Sequence, residues 1–241
     1  MNKIIAQLKK ELKKNVDLKY KKSAENYFKE GITLYGVRTP IVKAIAKQFF
    51  PQIKEMEKNE VLNLSEELMK SGYMEDAVVA FSFTLKIKSR LKCSDFVRFE
   101  QWVKKYIDNW AKCDGMCTEV VRYQIMDCPD LVKKIKKWTT SKNRWVRRAS
   151  AVSFIGGKKQ GYVSSGNLSD VFWIAKKLLT DDDDLVQKGY GWMLKEASKV
   201  HQKEVFDFVV KHKKNMPRTA LRYAIEKMPK SLKKEAMKKD W

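Results

Sequence analysis

Residues 110–114 read WAKCD, which places an indole and a carboxylate four residues apart. Side chains at i and i+4 of a helix lie on one face, so Trp110 and Asp114 would lie together if a helix runs through both. A carboxylate beside an aromatic ring suits a developing positive charge. Alternatively, Asp114 is the N-cap of a helix that follows it, since aspartate is a preferred N-cap residue, and Trp110 belongs to the core.

Basic and aromatic side chains recur in residues 183–199. Lys188, Trp192 and Lys195 are spaced i, i+4 and i+7 and share one helical face, whereas Tyr190 and Leu194 lie on another and are predicted to be core. Trp192 by itself would suit a core position, because large aromatic residues supply much buried area. Its two flanking lysines argue against a dry site.

Three arginines cluster on one side of residues 143–155, namely Arg144, Arg147 and Arg148, while Val146 turns to the core with its small neighbours. Charged side chains most often lie on a solvated face. The alternative is binding to phosphate groups, which the charge of the whole chain favours. It has 241 residues with 51 Lys and Arg against 29 Asp and Glu, a net charge of +22. This surplus predicts a polyanionic partner, most simply nucleic acid.

The sequence argues against membrane binding, secretion and a metal site. An acidic membrane surface is the main competing partner, but the basic residues run through the whole chain and do not form one amphipathic anchor. No segment is typical of a signal peptide or a membrane span. The four cysteines, at 93, 113, 117 and 128, form no C-x-x-C pair. We therefore expect reduced thiols in a cytoplasmic protein, with no metal and no cofactor.

Helical spacing dominates between the few prolines and glycines, and no stretch shows sustained strand alternation. One longer loop is expected at 156–167. Besides residues 2–14, helices are predicted at 17–30, 40–50, 59–71, 75–90, 94–111, 115–126, 129–140, 143–155, 168–179, 183–199, 202–213, 217–227 and 230–239.

A weak internal repeat relates NRWVRRASA (143–151) to DDLVQKGYG (183–191). Val146 and Val186 occupy matching positions 40 residues apart, a period that suits a HEAT-like helix pair. The prediction is an all-α, HEAT-like repeat solenoid, one domain over residues 1–241, in which stacked antiparallel helix pairs present a basic concave face.

Four segments, in the same order along most of the chain, resemble the AlkD family of DNA alkylation-repair glycosylases. They are EGITLYGVRTP (30–40), WAKCD (110–114), RRA (147–149) and KGYGWMLKE (188–196). The resemblance implies a protein that wraps duplex DNA and hydrolyses the N-glycosidic bond of cationic alkylated purines, chiefly 7-methylguanine and 3-methyladenine, in base excision repair. We expect the protein to be a monomer. It also implies that the damaged base need not be flipped into a closed pocket.

The resemblance assigns roles to individual residues. Two tryptophans and one aspartate of the family's catalytic cleft match Trp110, Trp192 and Asp114. Arg148, Lys195 and Tyr27 match family positions that bind DNA. Apart from the resemblance, we expect Lys188, Arg144, Arg147 and Arg38 to bind DNA as well. The sequence departs from the family pattern at two positions, where Asn109 replaces a second tryptophan and Ala111 replaces an acid. The outer wall of the cleft is therefore expected to differ.

Two other functions remain open from the sequence. One is a non-enzymatic HEAT-like module that grips DNA or RNA as a scaffold. Against it stands Asp114, a carboxylate that a pure phosphate binder has no reason to keep. The other is a helical adaptor that binds acidic proteins, for which the surplus charge alone would suffice. Duplex binding with a steep salt dependence would exclude the adaptor.

Overall fold

The computed structural model describes residues 2–156, 161–165 and 167–239, and these residues contain helices and loops but no β-strand. The prediction of an all-α protein is confirmed. The chain forms two compact units, Met1–Val120 and Val121–Trp241. Each unit is described by itself below.

The first unit is built around a buried central helix. Its helices are α1 (Asn2–Lys14), α2 (Leu18–Tyr27), α3 (Thr39–Phe49), α4 (Lys58–Lys70), α5 (Met74–Lys86), α6 (Phe96–Tyr106) and α7 (Trp110–Met116). Helix α5 packs against α3, α4 and α7. Its sequence, MEDAVVAFSFTLK, is apolar on most faces, as expected of a helix with neighbours on several sides.

The second unit contains consecutive pairs of helices. After a π-helical turn at Cys117–Val121 come α8 (Arg122–Asp127), α9 (Val132–Trp138), α10 (Arg144–Val152), α11 (Tyr162–Ser165), α12 (Leu168–Lys177), α13 (Asp184–Ala197), α14 (Gln202–His212), α15 (Arg218–Ala224) and α16 (Lys230–Met237). Helix α13 packs against both α10 and α15, and α9, α12 and α14 each pack against the helix that follows them. Short connections of this kind join antiparallel helices.

The 40-residue repeat is visible at the starts of α10 and α13. The Asn143 side chain accepts a hydrogen bond from the Trp145 N–H at 2.9 Å, and the Asp183 side chain accepts one from the Leu185 N–H at 2.9 Å. Both residues are therefore N-caps at the same place in their repeats. The two repeated valines, three residues after each cap, are fully buried. The superhelical curve of a HEAT-like solenoid stays a prediction.

Most predicted helix bounds agree with the structure to within a few residues, but two predictions near residue 110 are wrong. The predicted helix 94–111 already ends at Tyr106, and the predicted helix 115–126 belongs to a helical segment that begins at Trp110. In the predicted loop 156–167, α11 occupies part of the sequence. Residues 157–160 and 166 of that loop lie outside the described residues.

The cysteines also differ from expectation. Cys93 and Cys128 each belong to a disulfide bond. The prediction that all four thiols are reduced is therefore wrong for these two. Cys113 and Cys117, at the end of α7 and in the turn that follows it, are buried.

Candidate active site

Helix α7 has an N-cap of its own. It begins one residue after Asn109, whose Oδ1 accepts a hydrogen bond from the Lys112 N–H at 2.9 Å. Asn109 is an N-cap by position and geometry, and it is buried. Asp114 lies five residues further on, inside the helix. The alternative that Asp114 is an N-cap is therefore wrong, and the departure from the family pattern at Asn109 has a structural explanation.

Trp110 and Asp114 lie one turn apart on α7, and both side chains are half-buried. A helix that runs through both residues places them on one face. The backbone carbonyl of Asp114 accepts a hydrogen bond from the Thr118 hydroxyl at 2.7 Å, in the π-helical turn that follows α7. Turns of this kind within helices are frequent at functional sites.

Buried contacts fix the other sides of α7. Lys112 is 2% exposed, and its Nζ donates to the Gly72 carbonyl at 2.7 Å and pairs with the Asp108 carboxylate at 2.8 Å. A Cβ on Gly115 would lie 3.0 Å from the ring of Phe81, a fully buried residue of α5. The glycine therefore allows α7 to approach the central helix closely, and the helix is held while its Trp110–Asp114 face keeps some exposure.

An aromatic cluster surrounds Trp110. The Phe28 ring is stacked on the indole, with 5.0 Å between centroids and 4° between planes. Tyr27, which is 70% exposed, meets the indole edge-on at 6.0 Å. Trp110 and Ala111 also line an apolar cavity of about 350 Å³, together with residues of α2, α3 and α5. The aromatic contacts restrict the orientation of the Trp110 ring.

The segment EGITLYGVRTP forms the loop between α2 and α3. Its Gly31 and Gly36 have φ angles of 80° and 105°, which other residues rarely adopt. The carboxylate of Glu75, 2% exposed, accepts hydrogen bonds from three successive backbone N–H groups of residues 35–37, at 2.8 to 3.0 Å. This part of the family resemblance therefore reflects a loop that is tied to the central helix.

Arg38 ends that loop, one residue before α3, and it is exposed. Its guanidinium pairs with the Asp17 carboxylate at 3.0 Å and lies 5.0 Å from the centroid of the Tyr20 ring. Hydrogen bonds from the Tyr20 backbone and from Arg38 lower the pKa of Asp17. A phosphate group would have to compete with this carboxylate for Arg38.

Two of the three clustered arginines of α10 bind carboxylates just before α13. Arg147 donates two hydrogen bonds to Asp181, at 2.7 and 3.2 Å, and this bonding raises the pKa of the guanidinium. Arg144 donates to Asp183 at 3.0 Å. Bidentate arginine–carboxylate pairs are among the stronger charged contacts in proteins. These arginines connect the two repeats.

Arg148 is 5% exposed and lies between α10 and α13. It donates a hydrogen bond to the Leu185 carbonyl. A Cβ on Gly189 would lie 3.2 Å from its Cγ, so the glycine makes room for the arginine. On the other side of α13, a Cβ on Gly191 would lie 2.8 Å from the Ala220 carbonyl oxygen of α15. Both glycines of KGYGWMLKE therefore permit close packing of neighbouring helices.

Trp192 and its flanking lysines keep some exposure, whereas Tyr190 and Leu194 are fully buried, as predicted. The Trp192 Nε1 donates to Glu196 at 3.3 Å, which fixes one edge of the indole. Each lysine pairs with its own carboxylate: Lys188 with Asp184, and Lys195 with Glu226.

The Lys188–Asp184 pair measures 2.8 Å and lies within α13. The Lys195–Glu226 pair measures 3.0 Å and joins α13 to the segment after α15. The hydrogen bond from Lys195 lowers the pKa of Glu226. Both predicted DNA-binding lysines are therefore neutralised locally.

Comparisons with known families and solved structures show the family to which the chain belongs. A family model described as DNA alkylation repair enzyme matches residues 8–228. The chain belongs to this family. A solved structure, the predicted DNA alkylation repair enzyme from Enterococcus faecalis, superimposes with a TM-score of 0.77 at 17% identity and covers 90% of this chain and 98% of its own. At that identity the likeness concerns the fold. No curated protein matches the sequence.

In this member of the DNA alkylation repair family, the predicted site residues fall into two groups. Tyr27, Trp110 and Asp114 lie in the first unit, where Tyr27 contacts Trp110, and Arg38 lies in the same unit, paired with an aspartate. The second unit holds the remaining residues, which are Arg144, Arg147, Arg148, Lys188, Trp192 and Lys195.

The sequence analysis missed Phe28, Glu75 and Glu226. Phe28 could have been predicted from the sequence, because it follows Tyr27 directly in AENYFKEG. The two glutamates lie far along the chain from the residues that they contact, and nothing local to them indicates those contacts. Among the described residues, no three His, Cys, Asp or Glu side chains are grouped so as to hold a metal ion. The helices of the described chain include none that is long and apolar enough to cross a membrane.

Proposed function

We propose that this DNA alkylation repair protein is a DNA glycosylase that hydrolyses the N-glycosidic bond of cationic alkylated purines in duplex DNA. Asp114 is the catalytic carboxylate, Trp110 lies beside it on α7, and Trp192 supplies the second indole. The roles of these three residues follow the family resemblance stated above. Family membership supports a DNA substrate.

One observation carries the proposal. Asp114 lies half-buried inside a helix that Asn109 already caps, on the same face as Trp110. The aspartate therefore has no capping role, and a half-buried acid in a chain of net charge +22 is poorly explained by phosphate binding alone. A carboxylate next to an aromatic ring is suited to a positively charged target.

The reaction fits one carboxylate. Alkylation at N7 or N3 makes the purine cationic, so the base leaves with the electrons of the C1′–N bond and needs no proton from the enzyme. The acid of the usual glycosidase pair is therefore dispensable. The Asp114 carboxylate stabilises the oxocarbenium-like sugar and orients the water that attacks C1′, and the indole faces favour the same positive charge. The products are the neutral base, an abasic sugar and one proton.

Basic residues of the second unit are proposed to hold the DNA backbone. Residues 121–241 contain 28 basic and 13 acidic side chains, a net charge of +15. Lys188 and Lys195 flank Trp192 along α13. Their carboxylate partners are exposed to a considerable degree, so phosphate groups can compete for the ammonium groups.

The proposal is tested by incubating the protein with duplex DNA that contains 7-methylguanine and measuring the free base released. The glycosylase hypothesis predicts release that follows single-exponential kinetics under excess enzyme. An unmethylated duplex of the same sequence is the control for substrate. Tight, salt-sensitive binding of both duplexes without any release of base would favour the non-enzymatic scaffold instead.

A further inference from the structure

Helix α12 carries an exposed tryptophan with two lysines near its ring. Trp173 is 38% exposed, although the apolar residues next to it on α12, Val171 and Ile174, are fully buried. The Nζ atoms of Lys136, from α9, and of Lys177 lie 5.1 and 5.4 Å from the centroid of its ring. Lys136 also pairs with the Asp170 carboxylate at 2.6 Å.

More positive charge surrounds this indole. Lys176 and Lys177 follow Trp173 at i+3 and i+4 of α12 and therefore share its face. Lys211, on α14, precedes His212, whose pKa is lowered first by burial and then by Lys211 and Lys176. Among the residues described, Lys176, Lys177 and Lys211 have no carboxylate within 4.0 Å. We call Trp173 with Lys136, Lys176, Lys177 and Lys211 the Trp173 surface.

Stacked rings join the two helices that carry the surface. Phe172 of α12 is stacked on Phe208 of α14, with 4.8 Å between centroids and 4° between planes. Phe208 in turn contacts the His212 ring at 4.6 Å. These half-buried rings pack α12 against α14, the two helices that carry the lysines.

We propose that the Trp173 surface binds single-stranded DNA, with a base stacked on the indole and backbone phosphates paired with the surrounding lysines. An exposed aromatic ring among cations is the arrangement that proteins use for unpaired strands, because every base offers a face for stacking. In a duplex the base faces are covered by neighbouring pairs. The proposal does not require glycosylase activity.

An anionic membrane is the competing partner, because tryptophan and lysine are also common at lipid interfaces. Binding to a bilayer needs an apolar helix face that inserts among the acyl chains. Helix α12 has no such face to offer, since Val171 and Ile174 are buried in the protein. A single indole among ammonium groups therefore suits a nucleic acid strand better than a bilayer.

The test measures the fluorescence anisotropy of a labelled oligothymidylate titrated with the full chain. Trp173→Ala is expected to weaken binding about tenfold or more, since stacking of one base is lost, and Trp173→Phe to recover most of the affinity. Lys176→Gln/Lys177→Gln should reduce the salt slope by roughly one unit. The matched control, Lys13→Gln/Lys105→Gln, removes two exposed lysines from the first unit and should change the slope much less.

The proposal is overturned if Trp173→Ala binds the oligothymidylate as tightly as the wild type, with thermal melting showing both proteins folded. It is also overturned if the control pair of lysines lowers the slope as much as Lys176 and Lys177 do. Binding of the wild type to phosphatidylglycerol vesicles but not to the oligothymidylate would assign the surface to a membrane instead. Base release from duplex DNA is not measured, so a failure of the glycosylase proposal leaves these outcomes unchanged.

Discussion

The Phe28 ring lies parallel to the Trp110 indole, 4° apart in angle and 5.0 Å apart between centroids. Phe28 is held by the end of α2, where its N–H donates to the Ala24 carbonyl at 3.1 Å. Phe28 thus covers one face of the indole and leaves the ring few alternative orientations. This contact makes Phe28 a positioning residue for Trp110 in the proposed reaction.

Replacement of Phe28 by alanine is expected to slow base release about tenfold, because a stacked aromatic pair contributes on the order of 1 kcal/mol beyond its buried area. Phe28→Tyr keeps the stack and should excise at nearly the wild-type rate. Single-turnover release from 7-methylguanine DNA, with thermal melting of each variant, separates the two. If the alanine variant releases base as fast as the wild type, Phe28 does not position Trp110 for the reaction.

A second prediction concerns the start of α7. Asn109→Ala removes the N-cap and should cost about 1 kcal/mol, or roughly 2–4 °C in melting temperature. Asn109→Asp should be close to neutral, because both residues cap well. Thermal melting measures both. If the alanine variant melts at the same temperature as the wild type, the hydrogen bond between Asn109 and the Lys112 N–H contributes nothing to the stability of the protein.

The sequence predicted the helices well because most of them carry an apolar periodicity with polar residues opposite. The 40-residue valine spacing predicted a repeat, and the structure adds matching N-caps at the starts of α10 and α13. The sequence pattern gave a wrong helix start near residue 110, because Asp114 followed by Gly115 is typical of the beginning of a helix. The actual start depends on a buried Asn109, and the glycine there serves close packing against Phe81. Such contacts join residues far apart in the chain, so local pattern does not reveal them.

The predicted DNA-binding residues illustrate a similar limit. Arg147 was expected on a basic face that binds DNA, yet two of its hydrogen bonds go to Asp181, between α12 and α13. The run DDDD at 181–184 was visible, but periodicity on a single helix does not show which arginine each aspartate faces. The spacing predicted which face of α10 carries Arg147, but only the structure shows that Asp181 is its partner.

Lys195 offers a third prediction. Its partner Glu226 has a lowered pKa, so the carboxylate is ionised throughout the neutral range and competes with phosphate. Glu226→Gln should therefore raise duplex affinity a few-fold, in line with a surface ion pair of less than about 1 kcal/mol. Glu235→Gln, an exposed position in α16, is the matched control for charge. Equal gains in both variants would indicate a general charge effect and no special role for Lys195.

His212 provides a prediction about pH. Burial, and then Lys211 and Lys176, lower its pKa below the usual value of 6.5. The folded state therefore binds the proton less well than the unfolded state, and stability is lost as the pH falls below about 6.5. His212→Gln should lose less stability than the wild type between about pH 7.5 and about pH 5.5, a range that brackets the ordinary pKa of histidine. Urea unfolding at each pH measures the free energy of unfolding of both proteins. Parallel losses in both proteins would contradict this.

The central claim rests on Asp114. Asp114→Asn keeps the size and most of the hydrogen bonding of the side chain but removes the negative charge. If the carboxylate stabilises the sugar cation, base release should fall on the order of 100-fold or more, which corresponds to roughly 3 kcal/mol. The substitution leaves the N-cap of α7 in place, because that cap is Asn109. Duplex affinity should hold or rise, since a repulsion with phosphate is relieved.

The deciding measurement is single-turnover release of 7-methylguanine by wild type, Asp114→Asn and the control Asp182→Asn, which neutralises an exposed aspartate of the second unit. Duplex affinity and melting temperature are recorded for the same preparations. We predict lost release with binding and stability retained for Asp114→Asn, and wild-type behaviour for Asp182→Asn. An Asp114→Asn protein that folds, binds and releases base at the wild-type rate would contradict the assignment of Asp114 as the catalytic carboxylate.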